Sequence, residues 1–164
     1  MIPRAALMAV LALVLPTPQA APESSAGLCI APEKSFFSCQ TSTRKWINLC
    51  GAKSSAMQYR FGKPGKIEFQ YPPNAAEGLL SLRLSHYARF QVDRFEVSFN
   101  NLGSDYAVFD YTEKRQHLAG VRVTTPDGKE REIACVKPIS SELGKLQGVL
   151  PCDTDNALNG GKCP

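Results

Sequence analysis

The sequence predicts an all-β protein: an antiparallel β-sandwich or partly open barrel of about eight strands, stapled by disulfides and carrying one short C-terminal helix. Three observations point there. Between Arg94 and Val136 apolar and polar residues alternate, as in Phe95, Val97 and Phe99 against Arg94, Glu96, Ser98 and Asn100, and a period of two belongs to a strand with one face in a core. Turn signals rich in Gly, Pro, Asn and Asp recur roughly every 8 to 12 residues. All six cysteines follow an export-type N-terminus, which is the usage of a disulfide framework.

In chain order, Met1 to Arg4 is a short basic start, Ala5 to Leu15 an unbroken apolar run, and Pro16 to Ala21 a helix-breaking exit of small residues. Residues 1–20 therefore read as a secretory signal peptide, with cleavage fitting after Ala20, Ala21 or Ala26. The apolar run is about half of the roughly 20 residues that span a bilayer, and no later segment comes closer, so no membrane span is expected. A lipid anchor on Cys29 does not fit, because Leu28 stands where that processing needs a small residue. The expected location is periplasmic or secreted.

Residues 21–34, rich in Pro, Ser, Ala and Gly, form an expected flexible lead-in, followed by a β domain over 35–150 and a tail over 151–164. Phe36 to Gln40 and Trp46 to Cys50 read as a first hairpin. A second follows, with Met57, Tyr59 and Phe61 alternating before the turn at Gly62-Lys63-Pro64-Gly65, and Ile67, Phe69 and Tyr71 after it. Pro72 and Pro73 end that strand, since Pro cannot donate to a ladder. Leu79 to Phe90 alternates and reads as extended, although Leu and Ala are good helix formers. The meander from Arg94 reverses at residues 100–105 and again at Pro126-Asp127-Gly128-Lys129. The charges at Glu130 to Glu132 are expected to guard a sheet edge. Ser140, Ser141 and Glu142 before Leu143, Leu146 and Leu150 read as the start of the short helix, stopped by Pro151.

The cysteines allow many pairings. Proximity along the chain favours Cys39 with Cys50, on consecutive strands, and Cys152 with Cys163, which bracket a turn-rich tail; Cys29 with Cys135 then follows by elimination. A zinc site lacks its usual spacing, because there is no Cys-x-x-Cys and neither histidine lies near a cysteine.

Without residues 1–20 the chain carries 18 bases and 15 acids, a formal charge of +3, dispersed without any block of like charge. Neither a nucleic-acid groove nor a polybasic membrane patch is indicated. About 140 residues remain, enough for one domain with a real core.

Catalytic motifs are missing: there is no Gly-x-Ser-x-Gly elbow, no His-Glu-x-x-His and no phosphate-cradling Gly loop. His86 falls on the apolar side of its segment, where a core or cleft histidine is expected, and His117 lies in a charged loop where it should be solvated. Asp153-Thr154-Asp155-Asn156 resembles the start of a calcium loop, but its Gly and terminal Glu are misplaced, so turn and capping roles are expected. The chain reads as a non-enzyme without cofactor or metal. Asp105 reads first as a turn former.

What remains is a binding surface. Asn100, Asn101, Gly103, Ser104, Asp105 and Tyr106 put amides, a hydroxyl and an aromatic on a tight reversal between strong strands. At this loop the chain resembles the bacterial periplasmic lysozyme inhibitors, small exported β proteins with disulfides that insert a loop into the cleft of a lysozyme. The branch directed at invertebrate-type lysozymes carries Ser-Gly-x-x-Tyr; here Gly103-Ser104-Asp105-Tyr106 matches Gly-x-x-Tyr and Leu102 stands in place of the first Ser. The resemblance implies an inhibitor or immunity protein whose partner is a lysozyme or another cell-wall hydrolase. The alternative is a non-catalytic module binding envelope glycan or protein, with aromatics exposed on a sheet face. A hydrolase would need His86 and an acid converging in a pocket.

Overall fold

The computed structural model describes residues 27–163, so the signal-peptide expectation for residues 1–20 lies outside the described residues. Nine strands follow one another: β1 (Lys34–Thr41), β2 (Trp46–Ala52), β3 (Ala56–Lys63), β4 (Lys66–Tyr71), β5 (Arg83–Arg89), β6 (Val92–Asn101), β7 (Ser104–Glu113), β8 (Gln116–Thr124) and β9 (Glu130–Ser141). They form one antiparallel sheet in the order β4-β3-β2-β1-β9-β8-β7-β6-β5. Two meanders, β1 to β4 and β5 to β9, are thus joined where the first strand of one pairs with the last strand of the other.

The sheet doubles over on itself, and its halves meet through aromatic side chains. Phe99 of β6 stacks on Tyr71 of β4 at 4.4 Å between centroids, and Tyr106 of β7 stacks on Phe69 at 5.2 Å. Between the halves Phe37, Ile47, Leu49, Met57, Val97 and Val108 are fully buried. Each such side chain stabilises the fold by about 1.5–3 kcal/mol relative to exposure. The outermost strands β4 and β5 are not paired with each other, so the sheet is sandwich-like and open.

Several expectations need correction. Cys39 and Cys50 do not staple the first hairpin, because its register sets Cys39 opposite Ile47 and Cys50 opposite Ser35, at different heights of the ladder. The disulfides are Cys29–Cys50, Cys39–Cys135 and Cys152–Cys163; only the last is as expected from proximity, and Cys29 with Cys135 fails with the first. Cys39–Cys135, with a sequence separation of 96, bridges β1 and β9, where the two meanders join. By chain entropy a loop of that size contributes about 4 to 5 kcal/mol.

Leu79 to Phe90 is extended only from Arg83; Gly78–Ser81 forms one α-helical turn, α1, that leaves Leu80 77% exposed. Glycine is required at its start, since a Cβ on Gly78 would lie 1.7 Å from the Met57 carbonyl oxygen of β3. The C-terminal helix shrinks to a 3-10 turn, Leu143–Leu146, because β9 runs on through Ser140 and Ser141. Its leucines are buried nonetheless and close one end of the core. β1 joins β9 only from Cys135 onward, so Glu130 to Glu132, paired with β8 alone, do border an unpaired stretch of strand. The free edge of β5 is covered instead by the tail: Leu84 N–H donates to the Pro151 carbonyl at 2.8 Å, and Asp153 N–H to the Leu84 carbonyl at 3.1 Å.

The outer faces of the two halves are each covered by a chain terminus. Over β2 and β3 lies the end of the lead-in, held by Cys29–Cys50 and by Leu28 N–H donating to Asn48 Oδ1 at 3.0 Å. Over β5 and β6 lies the tail held by Cys152–Cys163, with Asn159 Oδ1 accepting from His86 N–H at 3.1 Å and Asn156 Nδ2 donating to Glu96 at 2.6 Å.

Candidate binding site

The six candidate residues fall on the β6–β7 hairpin. Asn101 pairs with Ser104, Asn100 with Asp105 and Phe99 with Tyr106, which leaves Leu102 and Gly103 as a two-residue turn. Both turn residues have positive φ, 51° at Leu102 and 79° at Gly103, as the twist of a type I′ hairpin demands. Asn100 closes the turn: its Oδ1 accepts from Gly103 N–H at 3.1 Å and its Nδ2 donates to Asp105 Oδ1 at 2.8 Å. Tyr106 is half-buried between Phe99 and Phe69, so its ring anchors the hairpin to the core. The side chain the hairpin offers at its tip is Leu102, 93% exposed.

Asn100, Asp105 and Tyr106 also line a groove of about 1010 Å³ on the outer side of β6, β7 and β8. β6 projects past β5 here, because their pairing ends at Arg83 with Ser98. Outward positions of three strands supply the floor: Glu96 and Ser98 from β6, Tyr111 from β7, Arg122 from β8. The tail supplies one wall through Asp153 and Asn156, and Tyr71 and Leu80 stand at the far end.

At the centre sits Glu96, 4% exposed. It accepts from the Tyr111 hydroxyl, from Arg122 Nη1 at 3.2 Å and from Asn156 Nδ2 at 2.6 Å. A buried carboxylate requires such a set of donors. Burial, and then the hydrogen bond to Glu96 and its negative charge, push the Tyr111 phenol up to about 12. Burial works against the Arg122 charge, but Tyr111, Glu96 and Glu130 outweigh it and hold its pKa above the usual value. Ser98 donates to Asp153 and so ties the tail to β6.

The histidines sit elsewhere. His86 stacks on Phe95 and meets Asp93, Nε2 to Oδ1 at 2.7 Å, while Nδ1 contacts Gln147 Nε2 at 3.0 Å. Both ring nitrogens are thus engaged, and His86 is not among the residues lining the groove. His117 is not a loop residue: it lies on β8, with Nε2 2.5 Å from Asp110 Oδ1. Asp153 Oδ1 accepts from Asp155 N–H at 3.2 Å and Asn156 Oδ1 from Leu158 N–H at 2.9 Å, the turn and capping roles expected of that segment. Among the described residues no three His, Cys, Asp or Glu side chains gather as metal ligands.

Sequence reasoning placed three of the groove residues but missed Glu96, Tyr111, Arg122 and Asn156. Glu96 and Arg122 hold outward strand positions that read as a solvated face, Tyr111 reads as a core aromatic, and Asn156 reads as a turn residue. The one available signal was the Cys152 and Cys163 pair, since a tail stapled to itself must be seated on something.

No protein-family model matches the chain, and no solved structure matches its fold.

Proposed function

We propose that the protein is an exported binding protein that blocks a cell-wall-degrading enzyme of the lysozyme type by inserting the β6–β7 hairpin into its cleft. Three disulfides fit a chain that folds outside the cytoplasm. The observation that carries the reading is Leu102. Four non-glycine residues among those described have positive φ, and three of them, Arg44, Gln91 and Lys114, are polar; Leu102 is the apolar one, and it is almost fully exposed. An L residue held left-handed costs about 1–2 kcal/mol, and Asn or Gly would fill the position without that cost. A strained apolar side chain aimed into solvent from a rigid tip is what a partner's pocket would receive. Gly103 is fixed beside it, since its φ favours glycine and a Cβ would come 3.3 Å from Pro126 Cγ.

Leu102→Gly separates fold from function. The variant should melt a few degrees higher, by relief of about 1 kcal/mol of strain, and should inhibit its target lysozyme at least tenfold more weakly. A panel of purified lysozymes of several types, assayed with wild type and variant, checks both. Absence of inhibition across the panel, or inhibition indifferent to Leu102, counts against the reading.

A second reading, a non-catalytic module for envelope glycan, is supported by the groove, where Asn100, Asp105, Asp155 and Asn156 offer hydrogen bonds beside Tyr71 and Tyr106. The remaining aromatics largely belong to the core, as with Tyr59, Phe69 and Phe99, and do not form a sheet-face platform. Retention on peptidoglycan that Leu102→Gly leaves intact would favour it.

A further inference from the structure

The turns at the two ends of β5 to β8 differ in charge. At one end lie the Leu102 turn and the turn over residues 125–129; residues 98–106 and 122–131 there hold three bases and three acids. At the other end lie the turns at residues 90–91 and 114–115. Residues 87–94 and 111–117 hold four bases, Arg89, Arg94, Lys114 and Arg115, against two acids, Asp93 and Glu113. Both acids are already engaged: Glu113 accepts from Arg94 Nε at 2.7 Å, and Asp93 contacts His86. Arg89, Lys114 and Arg115 are exposed, and among the described residues none of them takes part in an ion pair.

The same rim carries Phe90, 88% exposed at the first position of its two-residue turn, with Gln91 following at φ 58°. Lys114 N–H donates to the Gln91 carbonyl at 2.7 Å, which latches one turn to the other. One aromatic ring and three unpaired cations are therefore presented together from a stiff support.

We infer that this rim docks on the surface of a bilayer that contains anionic phospholipid. A lone exposed aromatic is ordinary on a protein surface, and so are dispersed lysines. Their combination on one latched rim matches an anionic amphipathic surface: the ring partitions to the headgroup level while each cation nearby raises binding on the order of fivefold. A protein partner would have to place an acid opposite each of three separate cations around the ring, whereas an anionic bilayer meets the ring and all three cations whatever their spacing. β6, ten residues long, spans about 33 Å between this rim and the Leu102 turn. A docked molecule would hold Leu102 away from the membrane, whatever that residue binds.

The test uses the exported, oxidised protein, so that residues 1–20 do not themselves bind lipid, with vesicles of pure phosphatidylcholine and of phosphatidylcholine with about 30% phosphatidylglycerol. The protein should sediment with the anionic vesicles at low salt, release as salt rises, and ignore the neutral ones. The triple variant Arg89→Ser, Lys114→Ser, Arg115→Ser should lose on the order of a hundredfold, and Phe90→Ala on the order of tenfold. A Phe90→Trp emission maximum that moves to the blue with anionic vesicles, where Leu102→Trp does not, locates the contact. No binding to anionic vesicles, equal binding to neutral ones, or binding indifferent to the triple variant overturns the inference. Lysozyme inhibition is measured without lipid, so failure here leaves that reading untouched and the converse holds too.

Discussion

The two outer faces of the sheet use the same device and end differently. Each is covered by a chain terminus, each terminus is tied by a disulfide, and each cover lies over a buried ionic residue. Over β2 and β3 that residue is Arg60, 6% exposed, and the lead-in itself supplies its partners: Glu33 Oε1 and Oε2 at 2.7 and 2.6 Å and the Leu28 carbonyl at 3.0 Å, with Gln58 Oε1 at 2.8 Å from within β3. Over β5 and β6 it is Glu96, whose donors Tyr111 and Arg122 belong to the sheet and whose tail contact is one amide, Asn156. Where the cover satisfies the charge, the face shuts. Where the sheet satisfies it, the cover stands aside and a groove is left.

The comparison breaks first at its arginines. Arg60→Ala would strand the Leu28 carbonyl, Gln58 and a partly buried Glu33, at a cost of roughly 3 to 5 kcal/mol. Arg122→Ala leaves Glu96 two of its donors and removes a side chain already 26% exposed, at a cost of about 1 to 2 kcal/mol. Urea unfolding of the two variants measures the gap; equal losses would show that the faces are not held differently. Next come the covers. Removing Cys152–Cys163 with a double Ala variant should cost about 3 kcal/mol by chain entropy. Hydrogen exchange should then speed at the amides of His86 and Asp153, which the tail holds or carries, and stay slow at Leu28. Faster exchange at Leu28 as well would mean that the two covers are not independent.

How much of this was legible in the sequence follows from how local each feature is. Alternation and turn residues marked the strands, because a pleat repeats every two residues and a reversal needs Gly, Asn or Pro within a few. The pairing of Cys39 with Cys135 was hidden, because it depends on β1 meeting β9 across the whole length of the domain and on a bulge that shifts their register after Cys39. Leu143, Leu146 and Leu150 carried a helical spacing and are buried, yet the strand before them continues through Ser141, so the spacing foretold burial better than helix length. Of the candidate site the hairpin could be read, residue by residue, but Tyr106 turned out to anchor it and the neighbouring Leu102 to crown it. Glu96 and Arg122 look like any solvated pair until a tail some 30 to 60 residues further on is laid beside them.

The smallest effect sharpens the contrast by pH. On the closed face, burial opposes the charge of Glu33, but the hydrogen bonds from Arg60 and from Ile30 N–H, and the Arg60 charge, hold its carboxyl below the usual value. A depressed carboxyl contributes stability above its unfolded pKa, and that contribution is lost as the pH falls through the folded value. This face should therefore weaken in acid, below about pH 4.5, where an unfolded glutamate begins to bind protons. On the groove face the sign reverses. Tyr111 has a raised pKa, so its contribution is complete below the unfolded value of about 10 and is lost as the pH rises through about 12. Glu33→Gln should flatten the acid limb of a stability profile and leave the alkaline limb alone. Glu96→Gln removes the negative charge beside the phenol while burial persists, so an ultraviolet titration should find Tyr111 lowered but still above an ordinary tyrosine, with a shallower alkaline limb. If both variants moved the same limb, the two faces would share one ionic network and their separation into a shut side and an open side would fail.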